Sequence, residues 1–501
     1  MRKLVGLATA TLAVVYPAVV RASPLIEQFG SVGDNAGRQG VVSGPGAASV
    51  YFNPAALTEA EDSFLVAFAF ISQQIGVTLD GRNGGDVPLS VGAHDILGPN
   101  GQPLPNDVVP TQWLQNGCPA GTTPGTCPPP GFAARPRQSQ GNGSQTFEYL
   151  TLGLVKQLIK NRFTLGLYAM LPVSSFTTAQ SFYVDEREAL FTNSLHPELY
   201  GDRLTSVSIV AGAGVKILPS LSVGLGLSIG LANVAASDSY IQDSTNYSTL
   251  LLNNAVQTKV NFSPTVGVHY RPTRSLRFGF AVHAPESFDI TTNISATLPT
   301  GTTLGSPQDN VFDWMPWSFN LGAEADVVRG PKYKMSVTGS VNYALWSAYR
   351  DRHDMSPADY GSELAWSDTL SVALGVRHHY KNARGFMDLT YFPSPVPEQI
   401  GNSNYVDNDK VGLLLGGDVD LKLGPLHIRP GVQLGGDRLI YRHNTKDDSL
   451  ITNQLPEGSV FESTHDPVPG TAGLHTNNPG WPGFASAGWI WSGAVTLKVP
   501  L

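Results

Sequence analysis

Residues 334–345, KMSVTGSVNYAL, alternate between two kinds of side chain. Met335, Val337, Val341, Tyr343 and Leu345 fall on one face, and Lys334, Ser336, Thr338, Ser340 and Asn342 on the other. The same period of two recurs where Leu370, Val372, Leu374 and Val376 oppose Thr369, Ser371, Gly375 and Arg377. It recurs again where Leu221, Val223, Leu225, Leu227 and Ile229 oppose Ser222, Gly224, Gly226, Ser228 and Gly230. Successive side chains of a strand point to opposite faces, so these are strands with one apolar face and one polar or small-residue face. About fourteen such segments are expected: 63–79, 145–159, 162–173, 202–218, 221–237, 255–270, 275–292, 313–328, 332–349, 364–380, 384–394, 409–423, 425–440 and 485–499. An even number is what bacterial single-chain membrane barrels use.

The connections sort into two kinds. Every second one is tight: Lys160-Asn161, Pro219-Ser220, 272–274, 329–331, 381–383 and Gly424. The others are long, polar and rich in Gly, Pro, Asn and Ser, above all 80–144, 174–201 and 441–484. Short turns on one rim and long loops on the other are the signature of an outer-membrane barrel, and a soluble sandwich gives no reason for them. Aromatic residues follow the same scheme. Tyr240, Phe288, Trp314, Trp317, Trp346, Tyr349, Trp366, Tyr391, Tyr441 and Trp489 fall near the long-loop rim, and Tyr270 and Tyr380 near the turns. Amphipathic rings prefer the headgroup layer, so girdles are expected at both heights.

Composition agrees. Only 14% of residues are charged, against about 25% in an ordinary soluble domain, so much of the surface is expected to meet lipid. A backbone facing lipid must satisfy every N–H and C=O internally, so the sheet must close. The net charge of -8 argues against nucleic acid as a partner.

The chain opens with Arg2 and Lys3, an uncharged apolar run over 4–15, and small residues at Val20 and Ala22. This reads as an export signal over 1–22, cleaved after Ala22, with Ala18 as the second choice. The run is too short to span a bilayer, and no later apolar run approaches the roughly 20 residues of a membrane helix. Cys118 and Cys127 lie in one Pro- and Gly-rich segment, GCPAGTTPGTCPPPG; in an exported chain they read as a disulfide stapling a loop tip.

Residues 23–60 do not alternate. They are dominated by small residues, carry few charges, and include the apolar pieces Val41-Val42 and Val50-Tyr51-Phe52. A barrel of about fourteen strands has a lumen too wide for its own side chains to fill, so this segment could fold inside and close it.

No chemistry is expected. There is no G-x-S-x-G elbow, since the one such string, GLSIG at 226–230, lies inside an alternating strand segment. There is also no H-E-x-x-H motif, no cofactor or metal site, and the adjacent His378 and His379 point to opposite faces of a strand. Glu324, Asp326, Lys334, Arg377, Asp388, Asp418, Asp420 and Arg429 read as a charge network bracing the barrel interior.

The small-residue leader ending in Asn53-Pro54-Ala55, followed at once by a barrel, resembles the FadL/TodX family of outer-membrane channels for long-chain fatty acids and aromatic hydrocarbons. Further matches follow in the family's order: SLRFGFAVHAPESFDI at 275–290, PWSFNLGAEADV at 316–327, VNYALWSAY at 341–349, WSDTLSVALGVRHHY at 366–380 and FPSPVPEQIGNSNYVDNDKVGLLLGG at 392–417. The resemblance implies an all-β, fourteen-stranded antiparallel transmembrane barrel over 61–501 and an amino-terminal hatch over 23–60. Gly33, Asn35, Gly40, Asn53, Pro54 and Ala55 would be the hatch's key positions. Asn53 would satisfy buried backbone groups, Pro54 fix the chain direction, and Ala55 allow close approach to the wall. It further implies passive capture of a hydrophobic small molecule by the outer loops, a pocket above the hatch, and lateral release where the third strand is disrupted. Pro172 marks that disruption or simply ends the strand. The implied setting is the outer membrane of a Gram-negative bacterium, among lipid and lipopolysaccharide, reached through the barrel assembly machinery as a monomer. A general diffusion porin or a loop-displaying barrel is the alternative. Two departures stand out. The segments 238–254 and 293–312, where the family builds its capture groove, read as short and polar, and the chain ends in Leu501 rather than an aromatic residue.

Overall fold

A computed structural model describes residues 24–79, 144–173, 208–241, 250–297, 303–351, 354–400, 405–424, 426–445 and 483–501. The export signal and the Cys118–Cys127 pair lie outside the described residues, as does most of the long segments 80–144, 174–201 and 441–484.

Fourteen strands close into an antiparallel barrel. They are β1 Ser63–Leu79, β2 Ser144–Ile159, β3 Phe163–Pro172, β4 Ser208–Leu218, β5 Leu221–Ile241, β6 Leu250–Tyr270, β7 Leu276–His283 continued as Glu286–Thr297, and β8 Thr303–Met315 continued as Ser318–Arg329. They continue with β9 Tyr333–Ala344, β10 Thr369–Tyr380, β11 Ala383–Phe392, β12 Lys410–Val419 continued as Leu421–Leu423, β13 Leu426–Thr445 and β14 Gly483–Pro500. Each strand pairs with its sequence neighbour. The first and last zip together from Ser63↔Pro500 to Leu79↔Phe484, so the wall has no free edge. That closure satisfies the backbone where no water is available.

The alternation seen in the sequence becomes an inside and an outside. On β10, Leu370 and Leu374 are more than half exposed, whereas Arg377 is 6% exposed. On β5, Leu225 is 57% exposed while Ser222 is buried. A soluble protein does not clothe an entire wall in exposed Leu, Val and Phe; a lipid-facing barrel does. No described helix is long and apolar enough to cross a membrane. The closed barrel with its apolar exterior is what belongs in an outer membrane.

Four sequence expectations are corrected here. The rings of Trp314, Trp346, Tyr349 and Trp366 lie at the long-connection end but are buried, packed together rather than facing lipid. Periodicity places an aromatic at a height but cannot say which way it points when its segment leaves the strand, and Trp346 heads a 3-10 turn (Trp346–Ala348) after β9 has ended at Ala344. The rings of Trp317, Tyr391, Tyr441 and Trp489 do face outward, as do those of Tyr270 and Tyr380 at the turn end. Next, β9 and β10 are shorter than 332–349 and 364–380, because the segment between them coils into short helical turns. The segments 238–254 and 293–312 are largely strand: β5 runs to Ile241 and β6 starts at Leu250, and the hairpin of β7 and β8 reaches Thr297 and Thr303. The end of β7 even lies parallel to β5, from Ala236↔Asn293 to Tyr240↔Thr297. Finally, β13 continues to Thr445, so the last long connection is shorter than 441–484.

The amino-terminal segment holds two short helices, α1 Pro24–Phe29 and α2 Ser49–Phe52, then a 3-10 turn, Pro54–Glu59, that leads into β1. Leu25, Phe29, Val50 and Leu57 are buried against Leu65, Ile71, Tyr149 and Tyr168 of β1–β3, so the main apolar cluster joins this segment to the inner face of the wall.

Candidate functional site

The inner face of β4–β7 carries glycine where the amino-terminal segment approaches. A Cβ added at Gly224 would meet the backbone of Pro54 and Ala55, one at Gly226 the carbonyl of Val50, and one at Gly279 the carbonyl of Val41. Main chain therefore lies directly on main chain, a spacing only glycine permits. Asn53 fixes this contact. Its Nδ2 donates to the carbonyls of Val41 at 2.8 Å and Val268 at 3.0 Å, and its Oδ1 accepts from Ala55 N at 3.1 Å. Pro54 opens the 3-10 turn, where a missing N–H costs nothing. Thr58 shares a hydrogen bond with Ser222 of β5 at 2.7 Å.

Gly33, Asn35 and Gly40 lie in the loop between the helices. Gly33 and Asn35 have positive φ, 83° and 57°, and Gly40 packs against the Phe52 ring with no room for a side chain.

A second set of contacts is ionic. Arg38 forks onto Asp437 of β13, Nη1–Oδ1 2.6 Å and Nη2–Oδ2 2.7 Å, and its Nη1 also reaches Thr390 of β11 at 2.8 Å. Asp388 accepts from Arg38 N at 2.8 Å and from Arg377 Nη1 at 2.6 Å, and Arg377 also donates to the carbonyl of Ala36. Asp34 pairs with Lys498 of β14 at 3.0 Å, and Ser43 donates to Glu324 of β8 at 2.6 Å. Each of these charges is nine-tenths or more buried, where an unpaired ion would be costly.

The interior charges named from sequence fall into this network. Arg277 pairs with Glu324 at 3.1 Å and Asp326 at 3.3 Å, and Lys334 pairs with Asp326 at 3.1 Å. Arg384 holds Asp418, and Arg429 holds Asp420 and Glu61 at the turn end. What the sequence left out is the other half: Asp34, Arg38 and Ser43 as the segment's contributions, and Asp437 and Lys498 as their partners on the wall. An isolated arginine and aspartate in a small-residue leader were the available signal.

Above the segment lie two adjoining chambers. The lower is lined by Glu27, Arg38, Tyr51, Phe52, His283, Asn320 and Phe392, with a volume of about 60 Å³. The upper, about 110 Å³, is lined by Glu27, Met315, Pro316, Trp346, Phe392, Pro395 and Lys410. Glu27 and Phe392 border both. The Tyr51 hydroxyl donates to Glu27 Oε1 at 3.0 Å. Burial pushes the Glu27 carboxyl above its usual 4.5, with that hydrogen bond opposing.

The upper chamber abuts the buried aromatic cluster. Tyr349 stacks on Trp366 at 3.7 Å with their planes 2° apart, while Trp314 meets Tyr349 and Tyr405 meets Trp366 edge-on. Trp366 Nε1 is buried without a hydrogen-bond partner in the described structure. Asp368 holds the connection in place, accepting from Ser347 N and the Tyr343 hydroxyl, each at 2.9 Å.

Pro172 is the last residue of β3, opposite Tyr149 of β2, and Val173 N still donates to the carbonyl of Glu148. Among the described residues the ladder to β4 begins at Met170↔Ser208, the first described residue of β4. His378 bonds the Tyr333 hydroxyl at 2.8 Å, and the exposed His379 does not join it.

A closed fourteen-stranded barrel with an apolar exterior, an ion-paired bore and its own leader folded against the inner wall is the FadL type of outer-membrane fold. A Pseudomonas aeruginosa FadL homologue has this fold, with a TM-score of 0.53 at 13% identity over 96% of this chain and 99% of that one. The Pseudomonas putida toluene transporter TodX aligns at 11% identity over 94% of this chain and 99% of that one, with a TM-score of 0.44. The Ralstonia pickettii toluene transporter TbuX aligns at 8% identity over 96% and 99%, with a TM-score of 0.40. No protein-family model and no curated protein matches the chain.

Proposed function

We propose that this protein is an outer-membrane channel for the passive uptake of hydrophobic small molecules, long-chain fatty acids or aromatic hydrocarbons, with residues 23–60 acting as its hatch. One observation carries the reading: the leader lies backbone-to-backbone on wall glycines and is fastened by buried ion pairs, and the two chambers beside it that described residues line measure about 60 and 110 Å³. Ligand pockets usually measure about 300–1,000 Å³, so a ligand passes only when the leader shifts. An always-open diffusion porin has no use for such fastening.

In this mechanism the outer loops collect the ligand, and the Trp- and Tyr-lined mouth accepts its apolar surface. The driving force is removal of that surface from water, with no energy source required. Displacement of the hatch enlarges the chambers, and the ligand leaves sideways near Pro172, whose missing N–H removes a ladder donor from the end of β3. Gly33, Asn35 and Gly40 shape the hatch loop; Asn53, Pro54 and Ala55 hold it to the wall. The chain works as a monomer, assembled by the barrel insertion machinery, and Cys118 and Cys127 staple the first long loop.

The test is uptake of labelled fatty acid and of toluene by cells exporting the protein with and without residues 23–60. Uptake that follows the intact chain supports the reading; no change with either form rejects it. Planar-bilayer recording distinguishes the porin alternative, which gives large steady currents from the intact chain.

A further inference from the structure

The lipid-facing surface is not smooth. Between β11 and β14 it carries a groove of about 910 Å³, lined almost wholly by apolar side chains. One wall is the pair Trp489 and Trp491 of β14, whose rings stack at 5.2 Å with planes 10° apart. The other is Leu389, Val411 and Leu413 of β11 and β12. The floor is Gly436, where an added Cβ would run into the Trp491 ring.

At its outer end stands Arg438. The guanidinium sits over the Trp489 ring, 5.9 Å from its centroid, and forms no ion pair with any described residue. Its neighbour Asp437 points into the bore and is taken by Arg38. Arg438 pairs with Trp489 on β14 and Val411 on β12, and Val411 in turn faces Tyr391, so it lies at the height of the outward aromatic residues. From Val411 to Leu415 the groove runs about 13 Å along the strand, about 10 Å of depth at a barrel strand's tilt of about 40°, which is most of one leaflet of the roughly 30 Å hydrocarbon core.

A groove one leaflet deep, apolar throughout and ending in a single cation, is complementary to a lipid of that leaflet. We propose that it seats one acyl chain of the phosphorylated glycolipid of the outer leaflet, the lipid A portion of lipopolysaccharide, with a phosphate on Arg438. An arginine at the edge of the hydrocarbon is expensive unless its charge is matched. Stacking on Trp489 leaves its N–H edge free, and that planar edge fits phosphate oxygens two at a time. Gly436 lets the Trp491 ring lie close against the wall, which leaves the space between the Trp pair and the leucines to a chain. The site is on the outside of the wall and holds whether or not the bore conducts.

The experiment is native mass spectrometry of the full chain in detergent, titrated with diphosphorylated lipid A, its dephosphorylated form, phosphatidylglycerol and inorganic phosphate. The intact protein retains lipid A about tenfold better than the dephosphorylated form, as one charge-assisted contact provides. Arg438→Gln erases that preference, and Gly436→Leu lowers retention of both forms. Leu413→Trp fills the same groove from the lipid-facing side should Gly436→Leu fail to assemble. Equal retention by the intact protein and Arg438→Gln overturns the proposal. So does stronger retention of phosphatidylglycerol, or displacement of lipid A by phosphate alone.

Discussion

Arg38 and Asp437 are 399 residues apart in sequence and meet through two hydrogen bonds inside the bore. Removing one partner of a buried pair leaves an uncompensated charge, at a cost of about 3–5 kcal/mol. Arg38→Ala is therefore expected to loosen the leader and raise single-channel current in planar bilayers. Replacing both partners, Arg38→Met with Asp437→Leu, restores much of the closed state because no charge is stranded. A double variant as leaky as the single one contradicts this. Glu27 supplies a pH dependence. Its pKa is raised in the folded protein by burial, so its stabilising contribution is complete below the ordinary carboxylate value and is lost as pH rises through the raised one. Current bursts should become more frequent as pH climbs above 4.5, and Glu27→Gln should flatten that profile. At this scale the sequence was half readable. Arg377 and Asp388 declared themselves by standing on polar faces of strands. Arg38 and Asp34 had no periodicity to locate them, and pairing across 399 or 464 residues leaves no local trace.

Among the elements, the wall strands were legible because each carries its own pattern. β1 alternates through Leu79, the last described residue before the first long connection, and the tight turns at Lys160-Asn161 and Pro219-Ser220 separate β2 from β3 and β4 from β5. Legibility failed where one element's limits depend on another. Nothing in WSAYRDRHD says that the chain coils over the mouth after Ala344, because it is packing among Trp346, Tyr349 and Trp366 that turns it inward. The outer parts of β5 to β8 were read as connections because their residues are polar, yet the backbone there is extended and paired, since strand preference depends on context more than on residue type. The glycine faces of β5 and β7 were visible as small residues, but what they accommodate was not. Gly279→Leu places a side chain where the Val41 carbonyl now lies. It should displace the leader at a cost of about 1–3 kcal/mol from overpacking, read as steady current and as protease access to residues near Val41. A closed, protected Gly279→Leu variant would show that the wall can yield there.

For the whole molecule, closure of the wall and filling of the bore are separable. The β1–β14 ladder is backbone pairing from end to end and needs nothing from residues before Ser63. Deleting residues 24–60 should thus leave a barrel that still migrates as a folded, heat-modifiable species in detergent gels, while converting the protein to a large, steady pore. A deletion that fails to fold would assign the leader a structural role in the wall itself. The fold class, strand number and membrane setting were all open to a sequence reading, since lipid imposes one architecture on an antiparallel sheet. The aromatic mouth and the exterior groove were not, because both arise from how neighbouring strands place their side chains.

The seam where the cylinder shuts has a consequence for its making. Lys498, which grips Asp34, sits two residues from the end of the last strand, and Asp437 belongs to the strand beside it. The ion pairs of Asp34 and Arg38 therefore wait for the latest part of the chain, although Asn53, Thr58 and Ser43 have partners on earlier strands. The final zip of β14 onto β1 both completes the cylinder and adds the last fastening of the stopper.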